Sequence, residues 1–247
     1  MSADYIFILL AGAAAGGFIN GLAAFGTALF SLGFWLQIMT PVEAVAIVLV
    51  MSVVSGLQGV SLVRHNITEN PKRLARFLLP ALFGIPLGVA ALSILNPAIL
   101  KQGVAGFLIL YGGFFTFRKN LPKFERPTPL IDSIIGFLGG VLGGAASLSG
   151  ALPTMWCSMR PWPKSETRAV LQPFNVTVLG LTAVIFAFKD VYTQPLLIKL
   201  AIVLPISMVF AQIGIAVFKR LTDAQFRRLL ILMMFTSGII MMLKELL

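Results

Sequence analysis

Eight runs of residues without a charged side chain dominate this sequence. They cover residues 5–42, 44–63, 77–100, 102–117, 133–159, 169–188, 200–218 and 229–243. An α-helix needs about 20 apolar residues to cross the hydrocarbon core of a bilayer, and six of the runs fit one such crossing. Transmembrane β-strands alternate strictly between apolar and polar side chains, a pattern that these runs lack. The runs therefore predict an all-α integral membrane protein.

The composition excludes a soluble enzyme. Hydrophobic residues make up 58% of the 247 residues and charged residues 11%, whereas soluble domains carry about 25% charged residues. A soluble domain of this length could not bury so much apolar surface. The formal net charge is +10, but the basic residues stand between the apolar runs. There they indicate membrane orientation and contact with a lipid bilayer, and they do not indicate nucleic acid.

Two runs are too irregular to be one crossing helix each. Residues 5–42 contain the segment Asn20–Thr27, and residues 133–159 contain the segment Gly143–Gly150, both rich in glycine and small side chains. Each glycine lowers helix propensity by about 1 kcal/mol. We expect each run to form two half-helices of about ten to fifteen residues, which reach only part-way across a bilayer. The alternative is one long tilted helix whose glycines allow close packing.

The two broken runs begin two halves of the chain that resemble each other. Gly17–Gly21 is similar to Gly136–Gly140, and further matches follow in the same order. Each half then has a broken segment followed by three crossing helices, all in one transmembrane domain over residues 1–247. The predicted bounds are 1–118 for repeat 1, 119–129 for a cytoplasmic linker and 130–247 for repeat 2.

The distribution of Lys and Arg favours broken runs that return to their own side as re-entrant hairpins. Eight full crossings would place 11 basic residues inside and 8 outside, whereas two hairpins place 15 inside and 4 outside, as the positive-inside rule expects. The four outside residues are Lys101, Lys189, Lys199 and Lys244. The count of basic residues on each side requires a hairpin only for the second broken run. The first run is assigned a hairpin from the similarity of the two halves. Three crossings per half invert the halves relative to each other, an architecture of secondary transporters.

The segment Gly16–Gly26, with a weaker echo over Ile135–Pro153, resembles the sulfite exporter TauE/SafE family of permeases. The resemblance extends from about residue 10 to residue 245. It implies transport of a small sulfur-containing anion such as sulfite, thiosulfate, sulfoacetate or another organosulfonate. We expect efflux across the plasma membrane, by a monomer or a homodimer. The alternatives are proton-coupled uptake of the same anions and a structural membrane subunit that transports nothing. The sequence departs from the family pattern at positions where glycine is commoner, which are Ala24, Ala28, Ser147 and Ser149.

The candidate substrate site lies at the two breaks. A hairpin tip exposes the N-terminus of its second helix, whose free N–H groups and dipole bind anions without a buried lysine. The small hydroxyl residues could instead recap the broken helices, and amides within apolar helices usually bond to a neighbouring helix. The predicted substrate-binding residues are Asn20, Gly26, Thr27, Ser31, Ser52, Ser147, Ser149, Gly150, Arg168, Gln172 and Asn175.

Charged and aromatic residues near the ends of the apolar runs are predicted to contact the substrate or the membrane interface. Arg168 could meet an anion arriving from the cytoplasm, or its side chain could snorkel to the interface. Trp156 and Trp162 are predicted to be interfacial anchors. No acidic residue lies within a run, so a proton-coupling carboxylate would require Glu43 or Glu166 to turn inward.

The sequence does not favour an enzyme. His65 is the single histidine, so a histidine-centred catalytic group or a zinc site is not supported. The chain has no phosphate-binding GxxxxGK[ST] loop. We therefore expect neither catalysis nor a cofactor nor a metal.

Overall fold

The computed structural model describes residues 3–91 and 124–246, together with isolated residues between 102 and 116. The described ranges contain helices joined by short loops and turns, and no strand. The helices of the ranges 3–91 and 124–246 are α1 (Ala3–Ala23), α2 (Thr27–Trp35), α3 (Pro41–Leu62), α4 (Arg64–Glu69), α5 (Pro71–Ala91), α6 (Pro129–Ala146), α7 (Ala151–Ser158), α8 (Lys164–Phe188), α9 (Gln194–Arg220) and α10 (Asp223–Leu246).

The predicted all-α membrane protein is confirmed. Among the described residues, five helices are long and apolar enough to cross a membrane, namely α1, α3, α5, α8 and α9, and α6 is a shorter apolar helix. Large apolar side chains such as Phe83 and Phe188 are exposed on the outside of the bundle. In a membrane these side chains contact lipid tails, which are as apolar as they are, so their exposure does not destabilise the fold.

The fourth apolar run, residues 102–117, lies largely outside the described residues. Those that are described between 102 and 116 are helical. They pack against α10, because a Cβ atom at Gly112 would contact Phe235 and one at Gly238 would contact Ala105 and Ile109.

Each broken run folds as a helical hairpin. In the first, the Ser31 hydroxyl donates to the carbonyl of Gly12 at 2.9 Å and the Trp35 indole donates to the carbonyl of Leu9 at 3.0 Å. The second helix, α2, therefore returns along α1. In the second hairpin the Trp156 indole donates to Asp132 Oδ1 at 2.7 Å, which brings α7 back along α6. A single long tilted helix is excluded for both runs.

The expected half-helix lengths were wrong. The first arms α1 and α6 have 21 and 18 residues, and the returning arms α2 and α7 have 9 and 8. The glycines before the breaks stay within the helices α1 and α6. Their lack of a side chain allows the backbone of a neighbouring helix to pack closely against them. A Cβ atom would lie 2.3 Å from the Ser207 carbonyl oxygen at Gly17 and 2.3 Å from the Ala81 carbonyl oxygen at Gly140. Close packing outweighs the low helix propensity of glycine here.

The long arm of each hairpin packs against a helix from the other half of the chain. Gly17 and Gly21 of α1 meet Ser207 and Ala211 of α9 in the same order, so α1 and α9 are parallel. Phe77 and Ala81 of α5 meet Gly136 and Gly140 of α6, again in parallel.

Helices α3 and α8 cross between these two pairs. Gly56 lies beside Val176 and Gly59 beside Gln172, so α3 and α8 are antiparallel. Helix α3 runs parallel to α1, since Gly16 lies beside Met51 and Asn20 bonds to Ser55. That the two halves are copies of one inverted repeat, with bounds 1–118 and 130–247, stays a prediction.

Basic residues of several loops gather at one end of the bundle, which we call the basic end. Arg73 forms an ion pair with Glu166, and Lys164 donates to the carbonyl of Phe218 at 3.0 Å. At the opposite end Lys199 pairs with Glu43 at 2.9 Å. Lys101, Arg118, Lys119 and Lys123, which the charge count also used, lie outside the described residues, as do residues 119–123 of the linker.

Trp156 is not the interfacial anchor that was expected. Its side chain is buried, and its indole bonds to the equally buried Asp132. Arg160 completes this cluster with a 2.9 Å ion pair to the same carboxylate oxygen. The cluster closes the base of the second hairpin at the basic end.

Candidate functional site

A cavity of about 30 Å³ lies where the two hairpin tips meet. A single buried water needs about 10–15 Å³ on this measure, so the cavity has room for roughly two waters or for a small ion. Its walls come from both breaks and from α3, α8 and α10. Eight of the predicted site residues line it, namely Asn20, Gly26, Thr27, Ser52, Ser147, Ser149, Gly150 and Asn175.

The side chain of Asn175 joins the two tips. Its Nδ2 donates to the carbonyl of Ala24 in the first break at 2.7 Å. Its Oδ1 accepts a hydrogen bond from the Ser149 hydroxyl in the second break, also at 2.7 Å. The Asn175 and Ser149 side chains are almost completely buried. One amide on α8 therefore satisfies a polar group of each broken helix inside the bundle.

A second amide, that of Asn20, connects the cavity to α3 and α8. Asn20 Nδ2 donates to Ser55 Oγ at 2.7 Å and to the carbonyl of Ser52 at 3.0 Å. Its Oδ1 accepts from Gln172 Nε2 at 3.2 Å. Gln172 in turn accepts from Arg168 Nη2 at 2.9 Å. A continuous chain of polar side chains thus leads from the cavity toward the basic end.

Two hydroxyl groups at the cavity have no hydrogen-bond partner. The side-chain oxygens of Thr27 and Ser52 are buried and unpartnered, and both residues line the cavity. A buried hydroxyl without a partner costs about 1–3 kcal/mol. A polar ligand in the cavity would offset that cost.

The returning helices begin at the cavity. Helix α2 starts at Thr27 after Gly26, whose φ of 89° turns the chain, and no side chain caps its N-terminus. Helix α7 starts at Ala151 after Gly150, also without a side-chain cap. The first N–H groups of a helix have no intrahelical partner and carry its positive dipole end. These two N-termini therefore favour an anion between them.

Helix α2 offers the better set of donors. In α7 the Ala151 N–H already bonds to the carbonyl of Leu148 at 3.3 Å, and Pro153 has no N–H to offer. The first turn of α2 contains no proline, and Thr27, Ala28 and Leu29 all line the cavity.

Comparison with known proteins identifies the family of this chain. The chain matches the sulfite exporter TauE/SafE family over residues 8–241. The chain belongs to this family. No curated protein and no solved structure matches it. Membership in the TauE/SafE family implies a membrane permease for sulfur-containing anions.

The remaining three predicted site residues do not line the cavity of this TauE/SafE protein. The Ser31 hydroxyl bonds to the Gly12 carbonyl and fastens α2 to α1. Gln172 and Arg168 lie earlier in α8 than Asn175, toward the basic end. They are connected to the cavity by hydrogen bonds, from Arg168 to Gln172 and from Gln172 to Asn20. Arg168 is fully buried, so the snorkelling alternative is excluded.

No charged residue is found among the described residues that line the cavity. Glu43 pairs with Lys199 at one end of the bundle, and Glu166 pairs with Arg73 at the other. Neither carboxylate turns inward to the cavity in this structure.

Two residues that replace the usual glycines of the TauE/SafE pattern have left-handed backbone. Ala24 has a φ of 69° and Ser147 a φ of 57°. An L-residue pays about 1–2 kcal/mol for this conformation. The breaks therefore keep the glycine-like turn even without glycine, whereas Ala28 lies in the helical α2.

The apolar part of the cavity wall was not predicted. Leu29, Leu179 and Met234, which lie outside both break segments, also line it, and each is a common residue of an apolar run. No signal in the sequence separates them from lipid-facing or core residues.

Proposed function

We propose that this protein is a permease that releases a small sulfur oxyanion from the cell, and that the cavity between the hairpin tips holds the anion during passage. The observation that carries the proposal is the meeting of two uncapped helix N-termini and two unpartnered hydroxyls around one uncharged cavity. Fixed N–H dipoles bind an anion without a countercharge that would hold it too tightly to leave.

The size of the cavity favours the smallest substrates of this class. About 30 Å³ suits a compact ion, so we propose sulfite before thiosulfate, sulfoacetate or other organosulfonates. The hydroxyls of Thr27 and Ser52 are donors to its oxygen atoms.

Electrogenic efflux follows from the absence of a titratable group at the cavity among the described residues. A proton-coupled carrier usually keeps an ionisable side chain in the membrane. Because the interior of a cell is negative, the membrane potential alone drives anions outward. The potential contributes about 2.3 kcal/mol per charge per 100 mV, or about 4.6 kcal/mol for a divalent anion. This energy is enough to sustain more than a thousandfold ratio between the anion concentrations outside and inside.

The proposal is tested by thermal unfolding of the purified protein in detergent with sulfite, thiosulfate and sulfoacetate. Acetate and chloride at equal ionic strength are the controls. A ligand at 100 times its Kd stabilises the folded state by about 2.7 kcal/mol. We expect sulfite to raise the Tm above both controls. Equal melting in sulfite, thiosulfate, sulfoacetate, acetate and chloride would contradict the proposed substrate class.

A further inference from the structure

We propose that Arg168 forms a second anion position, between the tip cavity and the basic end, at which the transported oxyanion is the counter-ion of the guanidinium group. This inference rests on the proposed function, because it requires an anionic substrate. It adds a position that the tip cavity itself does not contain, since Arg168 does not line that cavity.

The buried charge of Arg168 has no carboxylate partner. Its side chain has no exposed surface, and none of the ion pairs among the described residues includes it. A buried cation without a counter-ion is strongly unfavourable. The nearest acidic residue along α8, Glu166, is already paired with Arg73.

Arg160 shows how this protein treats a buried arginine that is structural. Arg160 is as buried as Arg168, but it pairs with Asp132 at 2.9 Å. It also donates to the carbonyls of Phe124 and Arg126 at 3.1 and 2.7 Å. Arg168 lacks a comparable set of acceptors.

Neutral groups compensate only part of the Arg168 charge. Nη2 donates to Gln172 Oε1 at 2.9 Å, and the guanidinium lies 4.5 Å from the centroid of the Phe218 ring. The contact of Nη1 with the Leu22 carbonyl is long, at 3.5 Å, and Nε has no partner. A guanidinium has five N–H donors arranged to hold an oxyanion through two oxygens. The group therefore keeps donors for an anion.

Arg168 lies on the line between the basic end and the tip cavity. It precedes Asn175 by seven residues of α8, which is about 10 Å at 1.5 Å per residue. Gln172 and Asn20 join it to the cavity by hydrogen bonds.

A second, smaller cavity lies at the basic end, beside the residue that precedes Arg168 in α8. Its volume is about 10 Å³, and Lys164, Thr167, Asp223 and Arg227 are among its lining residues. An anion that approaches from the basic end passes these charged side chains before it reaches Arg168 and then the tips.

The test compares sulfite binding by Arg168→Gln, Arg168→Lys and wild-type protein, measured as the sulfite concentration that gives half of the maximal rise in Tm. We expect this concentration to rise at least tenfold in Arg168→Gln. In Arg168→Lys this concentration rises less, because lysine keeps the positive charge but cannot form the bidentate hydrogen bonds of a guanidinium group. Arg220→Gln, which removes an exposed charge at the same end, should stay within twofold of wild type.

The melting temperature without sulfite separates this role from a structural one. Removal of an unpaired buried charge should leave the sulfite-free Tm of Arg168→Gln equal to or above that of wild type. If Arg168 merely caps α1 through the Leu22 carbonyl, the sulfite-free Tm falls and the half-saturating concentration stays within threefold of wild type. That result would overturn the inference.

Three further outcomes decide the remaining cases. If Arg168→Gln does not fold, an unchanged half-saturating concentration in Arg168→Lys contradicts the second position. If sulfur oxyanions fail to stabilise the wild-type protein, the proposed function fails and this inference fails with it. Stabilised wild type with unaffected Arg168 variants overturns the inference alone.

Discussion

Ser149 and Asn175 form a 2.7 Å hydrogen bond in which the serine hydroxyl donates to Oδ1 of the amide. The same amide donates through Nδ2 to the carbonyl of Ala24. The breaks of both hairpins are therefore fixed to one side chain on α8. Because this side chain is buried beside the cavity, the geometry of the site depends on its ability both to donate and to accept.

Asn175→Asp should abolish transport. The carboxylate has nearly the same shape, but it cannot donate to the Ala24 carbonyl and it puts a negative charge into the cavity. We expect sulfite flux in liposomes to fall more than tenfold and the Tm to fall as well. Asn70→Asp, which adds the same charge at an exposed position, is the control and should transport normally. Wild-type flux in Asn175→Asp would show that the amide is unimportant for passage.

Thr27→Val should weaken sulfite binding without lowering stability. Valine keeps the shape of threonine but removes a buried hydroxyl that has no protein partner. A hydrogen bond to a charged ligand contributes about 1.5–3 kcal/mol, so we expect the half-saturating sulfite concentration to rise about ten- to hundredfold. The Tm without sulfite should not decrease.

Thr154→Val provides the matched control for this prediction. The Thr154 hydroxyl is also buried and unpartnered, but Thr154 does not line the cavity. The control should bind sulfite as wild type does. Equal weakening in both variants would mean that a general change in packing, and not loss of a ligand contact, causes the effect.

Ala24→Gly should be tolerated better than Ala28→Gly. Both substitutions remove one buried methyl group. Glycine at position 24 also relieves a backbone φ of 69°, whereas glycine at position 28 weakens the helix α2. We expect the free energies of unfolding of the two variants to differ by about 1–2 kcal/mol in favour of Ala24→Gly. Thermal unfolding of both in one detergent checks this order, and the reverse order would argue against the left-handed turn.

Gly140→Ala should destabilise the bundle strongly. The added Cβ would lie 2.3 Å from the carbonyl oxygen of Ala81, so α5 and α6 would have to move apart. Overpacking of this kind costs about 1–3 kcal/mol or more. Gly180→Ala is the control, because its Cβ would meet only Val53 at 3.6 Å. The control should melt at or above the wild-type temperature, and equal melting of the two variants would contradict the parallel packing of α5 and α6.

The positions of the two breaks could be predicted from the sequence, but the lengths of their arms could not. Glycine-rich segments at 20–27 and 143–150 contain the observed breaks, because left-handed turns and uncapped helix starts need small residues there. Whether an individual glycine interrupts a helix depends on its neighbours in space. Gly17 and Gly140 stay helical because backbones of α9 and α5 rest on them.

The partners of the intramembrane polar residues were also beyond sequence reasoning. Asn20 and Gln172 bond to each other across 152 positions of the chain, and only the packed bundle brings them together. Arg168 is similar, because an arginine at the start of an apolar run looks the same whether it points to the interface or inward. Its contact with the ring of Phe218, 50 positions further along the chain, exists only in the folded bundle.

Potential-driven efflux is measured directly as sulfite flux from liposomes under an imposed potassium diffusion potential. The purified protein is reconstituted into liposomes loaded with sulfite, at equal pH on both sides, with valinomycin setting the potential. Efflux should accelerate as the interior becomes more negative and slow when the sign is reversed, and Asn175→Asp liposomes should stay near the leak rate. Flux that is independent of the potential but requires a pH gradient would rule out potential-driven efflux and would direct attention to Glu43 and Glu166.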